Sequence, residues 1–490
     1  MKVPEYEWWV EHAHEDSSLL LLMRDEQTFI ELVTQAAVKA NRTDIQRLVN
    51  HCMYRACFEQ DRFGSMSSIL KDIQPTESPS LNVEQLLGRP FKGALRVDNK
   101  AIRDDSGTFP MLGLSAFWAP WALQNNPDQF SRMADWATEC GMTYARWFGS
   151  HNWTGGIIPN QHADYFELME HTIEQLAAHG LRSQITLFTR SFLIDDKTNA
   201  VSQWANLVNE HRDKVCLVEL CNEFNHDDNE WSMWEVQSLG KMFTDISDVP
   251  FALSAPAAET WDDGKEILSQ LYEQGNASAT TIHFPRYQST HEGAWRWVRQ
   301  PWHGRWSIDN CPSVVIDNEH QRWDKSAGGK VIEVAAAAPF SAFISGCAMS
   351  AHHDVYGVHS DKGEYVNDER ASALKTIWSR TMPLLPRDVA NWQSVRVGDG
   401  GGPHPFPTLV QQEWSHNASL DHGVSRCFAA VRDDLFVMLL AGVKNYVTLR
   451  ELKQKPYQVI SLLTGQKVYE GSGDVRLNES DGKAFLVLTV

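Results

Sequence analysis

The chain has 490 residues, 42% of them hydrophobic and 22% charged, and a formal net charge of −19. It is too long for one ordinary domain and apolar enough to bury a large core. The acidic excess argues against nucleic acid as a partner, because neutralising phosphates takes clustered Lys and Arg. Eight cysteines stand at 52, 57, 140, 216, 221, 311, 347 and 427 without a Cys-x-x-Cys, so buried thiols are expected rather than a disulfide frame or metal site. The apolar run Leu19–Met23, preceded by Glu15-Asp16, is too short and too acidic upstream for a secretory signal. No run is long enough to cross a membrane. The sequence as given is thus expected to have no membrane partner, and to be cytoplasmic or released, including as part of a virion.

Residues 1–85 read as a helical N-terminal module. Thr43-Asp44-Ile45-Gln46 is a capping box, and Ile45, Leu48, Val49, Cys52, Met53, Ala56 and Cys57 follow at helical spacing. Glu26–Ala40 repeats the pattern, and Pro75-Thr76-Glu77-Ser78-Pro79-Ser80 reads as a linker. No chemistry is evident in this module; packing on the body or oligomer assembly is its expected use.

Residues 86–388 change rhythm. A strand pair, Ala94–Val97 with Phe109–Leu112, is expected around the turn Asp104-Asp105-Ser106-Gly107. Eight strand signals follow, at Met111–Phe117, Met142–Phe148, Leu181–Phe188, Val215–Cys221, Phe251–Ala255, Thr280–Phe284, Ser313–Asp317 and Cys347–Ala351. Helical runs alternate with them, from Pro127–Cys140 through His291–Trp302 to Asp368–Arg380. That number and order predict a (β/α)8 barrel. A doubly wound sheet is the competing architecture, but no Gly-x-Gly-x-x-Gly follows the first strand. Beyond the glycine-rich break at 398–405, short strands with turn signals such as Asp433-Asp434 and Thr464-Gly465 predict a C-terminal β-sandwich over 389–490.

Two segments carry the chemistry. Val215–Glu223 and Pro312–Glu319 are apolar, β-branched runs that each end in Asn-Glu. In a parallel barrel, residues at the carboxyl ends of strands face the reaction site. Two glutamates delivered there have the means to act as acid/base and nucleophile on a glycosidic bond. Asn209-Glu210, Asn229-Glu230 and Asn478-Glu479 repeat the dipeptide where helix, loop and sandwich surface are expected.

Val218-Glu219-Leu220-Cys221-Asn222-Glu223 resembles the fourth-strand motif of clan A retaining glycoside hydrolases, such as the family 5 cellulases and mannanases. The resemblance covers roughly residues 91–385. It implies Glu223 as acid/base and Glu319, ending the seventh strand, as nucleophile. By placement it implies substrate-site roles for Asn222, Arg146 at the end of strand two, and His283 at the end of strand six. Arg146 also reads as a buried partner of Glu219 or Asp317, and His283 as a structural histidine. The expected substrate is a β-linked oligo- or polysaccharide, a β-glucan or β-mannan cut internally being one form, with no metal and no organic cofactor. One departure is plain: where these families often carry a Trp at the end of strand eight, this chain reads Ala348–Tyr356 without one.

Of 19 tryptophans, ten fall in expected loops after strands: Trp118, Trp121, Trp147, Trp153, Trp231, Trp234, Trp261, Trp302, Trp306 and Trp323. Sugar C–H faces stack on aromatic faces, so Trp118, Trp147 and Trp231, with Tyr287 and His226, are candidate walls of a carbohydrate cleft. Two alternatives stay open. One is a barrel that binds sugar or serves in an assembly, such as a virion, without catalysis. The other is a metal-dependent hydrolase built on His12, His14, His352, His353 and Asp354, although His12 and His14 lie far upstream of the first barrel strand.

Overall fold

The computed structural model describes residues 91–257, 261–283, 295, 298, 301, 310–319, 332–362, 369–397, 411–414, 426–443, 446–450 and 456–490. The expected N-terminal helices, His12, His14 and Tyr287 lie outside them, and of the expected helix over His291–Trp302 only Trp295, Val298 and Pro301 are described, each as helical. The described residues 92–173 and those from 182 onward belong to one compact unit. The elements below that carry the site belong to it.

Three short antiparallel strands come first, β1 (Arg96–Asp98), β2 (Ala101–Asp104) and β3 (Gly107–Thr108). This corrects the expected pairing of Ala94–Val97 with Phe109–Leu112. Asn99, at φ 58°, reverses the chain directly after β1, so β1 pairs with β2 and Met111-Leu112 are released to the barrel.

The barrel strands are β4 (Met111–Ser115), β5 (Tyr144–Phe148), β6 (Arg182–Phe188), β7 (Val215–Cys221), β8 (Phe251–Ala252), β9 (Thr280–Ile282), β10 (Val315–Asp317) and β11 (Met349–His352). All pair in parallel, in the order β8-β7-β6-β5-β4-β11-β10-β9. The ring closes at the β8–β9 seam, where the N–H groups of Ser278 and Ala279 donate to the Phe251 carbonyl at 2.9 and 3.0 Å. Among the described residues the alternating helices are α1 (Ala119–Asn125), α2 (Pro127–Glu139), α3 (Tyr165–Ala178), α4 (Lys197–Glu210), α5 (Met233–Thr244), α6 (Trp261–Glu273), α7 (Ile332–Ile344), α8 (Val355–Val358) and α9 (Glu369–Thr381). The fold is a (β/α)8 barrel. Each of its strands starts or ends within a few residues of the apolar run that predicted it.

Side-chain layers fill the barrel. Met111, Tyr144, Leu217, Ile316 and Met349 belong to one buried cluster with Leu95, Ile102 and Phe109 from the β1–β3 region. Gly113 makes room for the Tyr144 ring: a Cβ there would meet ring carbons at 2.4 Å. On β7, Cys216 is the extra residue of a bulge, because Val215 faces Ser183 while Leu217 already faces Gln184. A one-residue shift exchanges the faces of a strand. Past the bulge Glu219 therefore lies opposite Thr186 and, one strand further, in line with Phe148.

The C-terminal strands are β12 (Gln393–Val397), β13 (Gln411–Trp414), β14 (Arg426–Arg432), β15 (Leu435–Ala441), β16 (Tyr446–Arg450), β17 (Tyr457–Ser461), β18 (Gln466–Gly471), β19 (Val475–Asn478) and β20 (Ala484–Thr489). They build a six-stranded sheet, β12-β14-β15-β20-β17-β18, and a three-stranded sheet, β13-β16-β19. Met438, Leu440, Val459, Phe485 and Val487 of the first share a buried cluster with Val447, Leu449 and Leu477 of the second, which makes a β-sandwich. Helix α7 packs on β14, β15 and β20, and every residue from Glu333 to Ile344 is buried. Its apolar circumference is what a helix sealed on all sides requires. Glu333 on α7 accepts from the backbone N–H groups of Lys483 and Ala484, joining it to the last strand's start.

Cys140, Cys216, Cys221 and Cys347 are buried free thiols, as expected, and Cys311 is a half-buried one. An ion pair ties β2 to the start of β6. Asp104 Oδ2 accepts from Arg182 Nη2 at 3.2 Å with both side chains almost fully buried. Burial works against the Asp104 charge, but hydrogen bonds from Ser106 and the attraction of Arg182 outweigh it and hold its pKa below 3.8. The contribution is thus present above the ordinary carboxylate range and is lost as pH falls through the depressed value. Asp104→Ala, which strands the Arg182 charge, is expected to cost about 3–5 kcal/mol at neutral pH. Urea unfolding of both proteins from pH 7 downward checks this, with the gap narrowing in acid.

Candidate active site

The centre of the barrel mouth is one guanidinium. Arg146 is fully buried on β5, its carbon 5.1 Å from the rings of both Phe117 and Phe148, which stack on each other at 3.8 Å. Nη1 donates to Glu319 Oε1 at 2.7 Å; Nη2 donates to Glu219 Oε2 at 3.1 Å and to Asn222 Oδ1 at 2.9 Å. Burial opposes the Arg146 charge, yet the two carboxylates overcome it and raise its pKa above the usual guanidinium value. Asp317, the other partner considered from sequence, accepts instead from Ser350 at 3.0 Å.

Glu219 is saturated. Its Oε2 also accepts from Thr186 at 2.7 Å, and its Oε1 from Asn318 Nδ2 at 3.0 Å and the Ala255 N–H at 3.2 Å. Gln184 in turn donates to Asn318 Oδ1. With every lone pair engaged and no exposure, Glu219 is a fixed counter-charge rather than a reacting group.

Glu223 follows β7 by two residues and takes φ 43°, a left-handed conformation that a glutamate adopts only at a cost. Neighbouring bonds hold it there. The Asn229 side-chain amide donates to the carbonyls of both Asn222 and Glu223 at 2.9 Å, and the Phe224 N–H donates to Ser254 Oγ at 3.1 Å. Asn225 makes a two-way pair with Ala257, each bond 2.8 Å. The turn sends the Glu223 carboxyl back over the barrel, where His283 Nδ1 stands 2.9 Å from its Oε1. His283 Nε2 lies 3.6 Å from Glu319 Oε1, so the imidazole sits between the two carboxylates. The Glu223 side chain is 22% exposed and that of Glu319 6%, leaving Glu223 the more open to an incoming group.

Glu223, His283 and Glu319 each offer an atom within 4.8 Å of the other two, the one such group of possible metal ligands among the described residues. A cation there would contend with the full charge of Arg146 already on Glu319, which disfavours a resident metal. His352 and His353 do not form one ligand set. His352 packs between Trp136 and Trp378, whereas His353 reaches Glu319 and Ser115.

The structure thus brings together Glu223, Glu319, Asn222, Arg146 and His283. The aromatic candidates fare differently. Trp147 is fully buried beside Trp204, on the strand face opposite to Arg146, and shows no face to the mouth. Trp118 is buried with its indole N–H on the Tyr356 carbonyl at 2.6 Å. Trp231 is 7% exposed, stacks on Phe188 and donates to the Thr189 carbonyl. His226 is exposed one turn past Glu223, and its Nδ1 accepts from the Asp228 N–H at 3.2 Å. Trp153, half-buried on the His151 ring at 4.3 Å, and Trp234, 75% exposed, show more surface than Trp118, Trp147 and Trp231. Sequence reasoning did not single out Thr186, Gln184, Asn318, Asn229 or Ser115. Polar residues inside β6 were the available signal, since a fully buried strand needs a reason to carry them.

No family model and no curated protein matches the chain. Solved structures do. A GH27 β-L-arabinopyranosidase from Geobacillus stearothermophilus aligns at 10% identity and a TM-score of 0.46, over 78% of this chain and 97% of that one. A β-1,4-mannanase from the sea hare Aplysia kurodai aligns at 10% identity and TM-score 0.40, over 58% and 96%. A glycoside hydrolase family 30 subfamily 8 xylanase from Clostridium acetobutylicum aligns at 9% identity and TM-score 0.41, over 78% and 97%.

Arg146→Met would leave Glu219 buried without its cation. A loss of about 3–5 kcal/mol is expected, with Arg146→Lys, which keeps the charge but not the fork, losing less. Denaturant unfolding of the three proteins measures both.

Proposed function

We propose that this protein is a retaining O-glycoside hydrolase that cleaves β-linked glycans by double displacement between Glu223 and Glu319. The observation that carries the reading is their spacing. A carboxylate oxygen of each lies within 4.8 Å of the other's, which favours the ~5–5.5 Å separation of carboxyls in retaining enzymes over the ~6.5–9.5 Å of inverting ones. The choice of β-linked substrates rests on the Asn222-Glu223 motif and its placement after β7.

In the first step a Glu319 oxygen bonds to the anomeric carbon as the glycosidic C–O bond breaks. Glu223 passes its proton to the departing oxygen. In the second, Glu223, now a carboxylate, takes a proton from water, whose oxygen bonds to the same carbon while the Glu319 ester breaks. Arg146 supports the role of Glu319, because its cation favours the carboxylate form at 2.7 Å. His283 Nδ1 meets the Glu223 carboxyl at Oε1, 2.9 Å away. Asn222, tied to Arg146 through its Oδ1, would meet the hydroxyl beside the scissile carbon. No step calls for a metal or an organic cofactor.

Reducing-sugar release from β-glucans, mannans, xylans and galactans tests the class, with internally cut β-glucan and β-mannan first. Glu223→Gln and Glu319→Gln are expected to lower kcat by ~10³-fold or more with the fold intact. Proton NMR of the first product should show the β-anomer. Equal release by wild type and Glu319→Gln would sink the assignment, and glycan binding without release would favour a binding-only barrel. Asn229→Ala, which frees the Glu223 carbonyl, is expected to lower kcat by ~10-fold with KM little changed, since misplacing a catalytic group costs rate rather than affinity.

A further inference from the structure

Glu319 has two oxygens, and Arg146 and His283 both approach the same one. Arg146 holds Oε1 at 2.7 Å, and His283 Nε2 stands 3.6 Å from the same atom. A carboxylate gripped through a single oxygen still turns about its terminal bond, a soft torsion. Oε2 faces another group. His353, the residue after β11, places Nε2 3.4 Å from it. The far side of that ring is also engaged, with Nδ1 2.9 Å from the Oγ of Ser115, the last residue of β4. Ser115 is paired in register with Arg146, and both Ser115 and His353 are buried.

We propose that His353 is a positioning residue for the nucleophile, fixing the plane of the Glu319 carboxylate through Oε2 in a tautomer chosen by Ser115. The inference rests on the glycosidase reading for its catalytic meaning. A hydroxyl hydrogen donated by Ser115 to Nδ1 leaves the ring proton on Nε2, facing Glu319. The other tautomer would aim a bare nitrogen lone pair at a carboxylate oxygen, which is repulsive, so both neighbours select the same form. At 3.4 Å the contact is long for a charge-assisted bond. Such bonds are commonly loose in unliganded sites and tighten as the reacting complex forms. Strand eight thereby contributes a ring that orients the nucleophile, at the place where the resembling families often carry a Trp.

The experiment has two independent arms on the full-length protein. Ring-nitrogen chemical shifts of 15N-histidine-labelled wild type, with His353 assigned by comparison with His353→Gln, are expected to show Nε2 protonated and Nδ1 bare at neutral pH. In Ser115→Ala that preference should weaken. A protonated Nδ1 in wild type would overturn the proposal whether or not any glycan is cleaved. On a cleaved glycan, His353→Leu is expected to lower kcat by ~10²-fold with KM little changed. It should also move the acid limb of the kcat/KM profile to higher pH. His353→Gln, whose amide donates from nearly the same point, should recover most of that loss. Wild-type kcat and an unmoved acid limb in His353→Leu would also overturn it. Should His353→Leu fail to fold, Ser115→Ala serves, with a smaller fall in kcat expected and an unchanged kcat overturning the claim. A wild type that cleaves nothing refutes the glycosidase reading, while the ring shifts still decide the contact.

Discussion

Sharing of one buried guanidinium between two carboxylates is the constraint on which the rest of the barrel mouth depends. Arg146 has no solvent to fall back on, so its charge is stable only while β5, β7 and the segment after β10 stay in register. The two partners differ in kind. Glu219 is enclosed by Thr186, Asn318 and the Ala255 N–H, while Glu319 retains some exposure at the mouth. In the proposed reaction Glu319 loses its charge when it bonds to sugar. Glu219 keeps Arg146 compensated through that interval, so formation of the intermediate does not leave a bare cation in the core.

The two carboxylates of the proposed reaction are held in different ways. Glu319 is located by what its side chain touches: Arg146, His283 and His353. Glu223 is located first by its backbone, a left-handed turn held shut by Asn229, Asn225 and Ser254, with His283 Nδ1 meeting its carboxyl at 2.9 Å. A nucleophile that must form and break a bond benefits from a defined carboxylate plane. A proton donor that later becomes a base benefits from a side chain left partly open, and in the proposed reaction the 22% exposure of Glu223 would meet that need.

The barrel was legible in the sequence because buried parallel strands must be almost wholly apolar, and runs such as Val215–Cys221 have no other use at that spacing. Strand ends then pointed to Glu223, Glu319, Arg146 and His283 without knowledge of any contact. What escaped was whatever depends on partners distant in the chain. His353 reads like His352 until the strand sends one to Glu319 and the other between tryptophans. Asn229-Glu230 was set aside as a chance copy of the motif, yet Asn229 is the clamp beneath Glu223. Strand β18 leaves little mark in the sequence, because its residues are mostly exposed and carry no apolar alternation. Trp147 was misleading for a related reason: its neighbour Arg146 faces inward, and alternation turns the indole into the layer beneath the helices.

Helix α7 has a consequence for how the molecule is divided. It follows β10 in the barrel, yet it is buried along its whole length and packs on three strands of the sandwich. The change in chain topology near residue 388 is therefore not a seam in the interior, because one helix serves as wall to both halves. Cutting the chain there would not yield a smaller independent barrel; it would strip an apolar cylinder bare and offer it to the nearest copy of itself. The sandwich is accordingly less an appended module than the second half of a shared interior, and a lineage that carries this barrel has reason to inherit the two together.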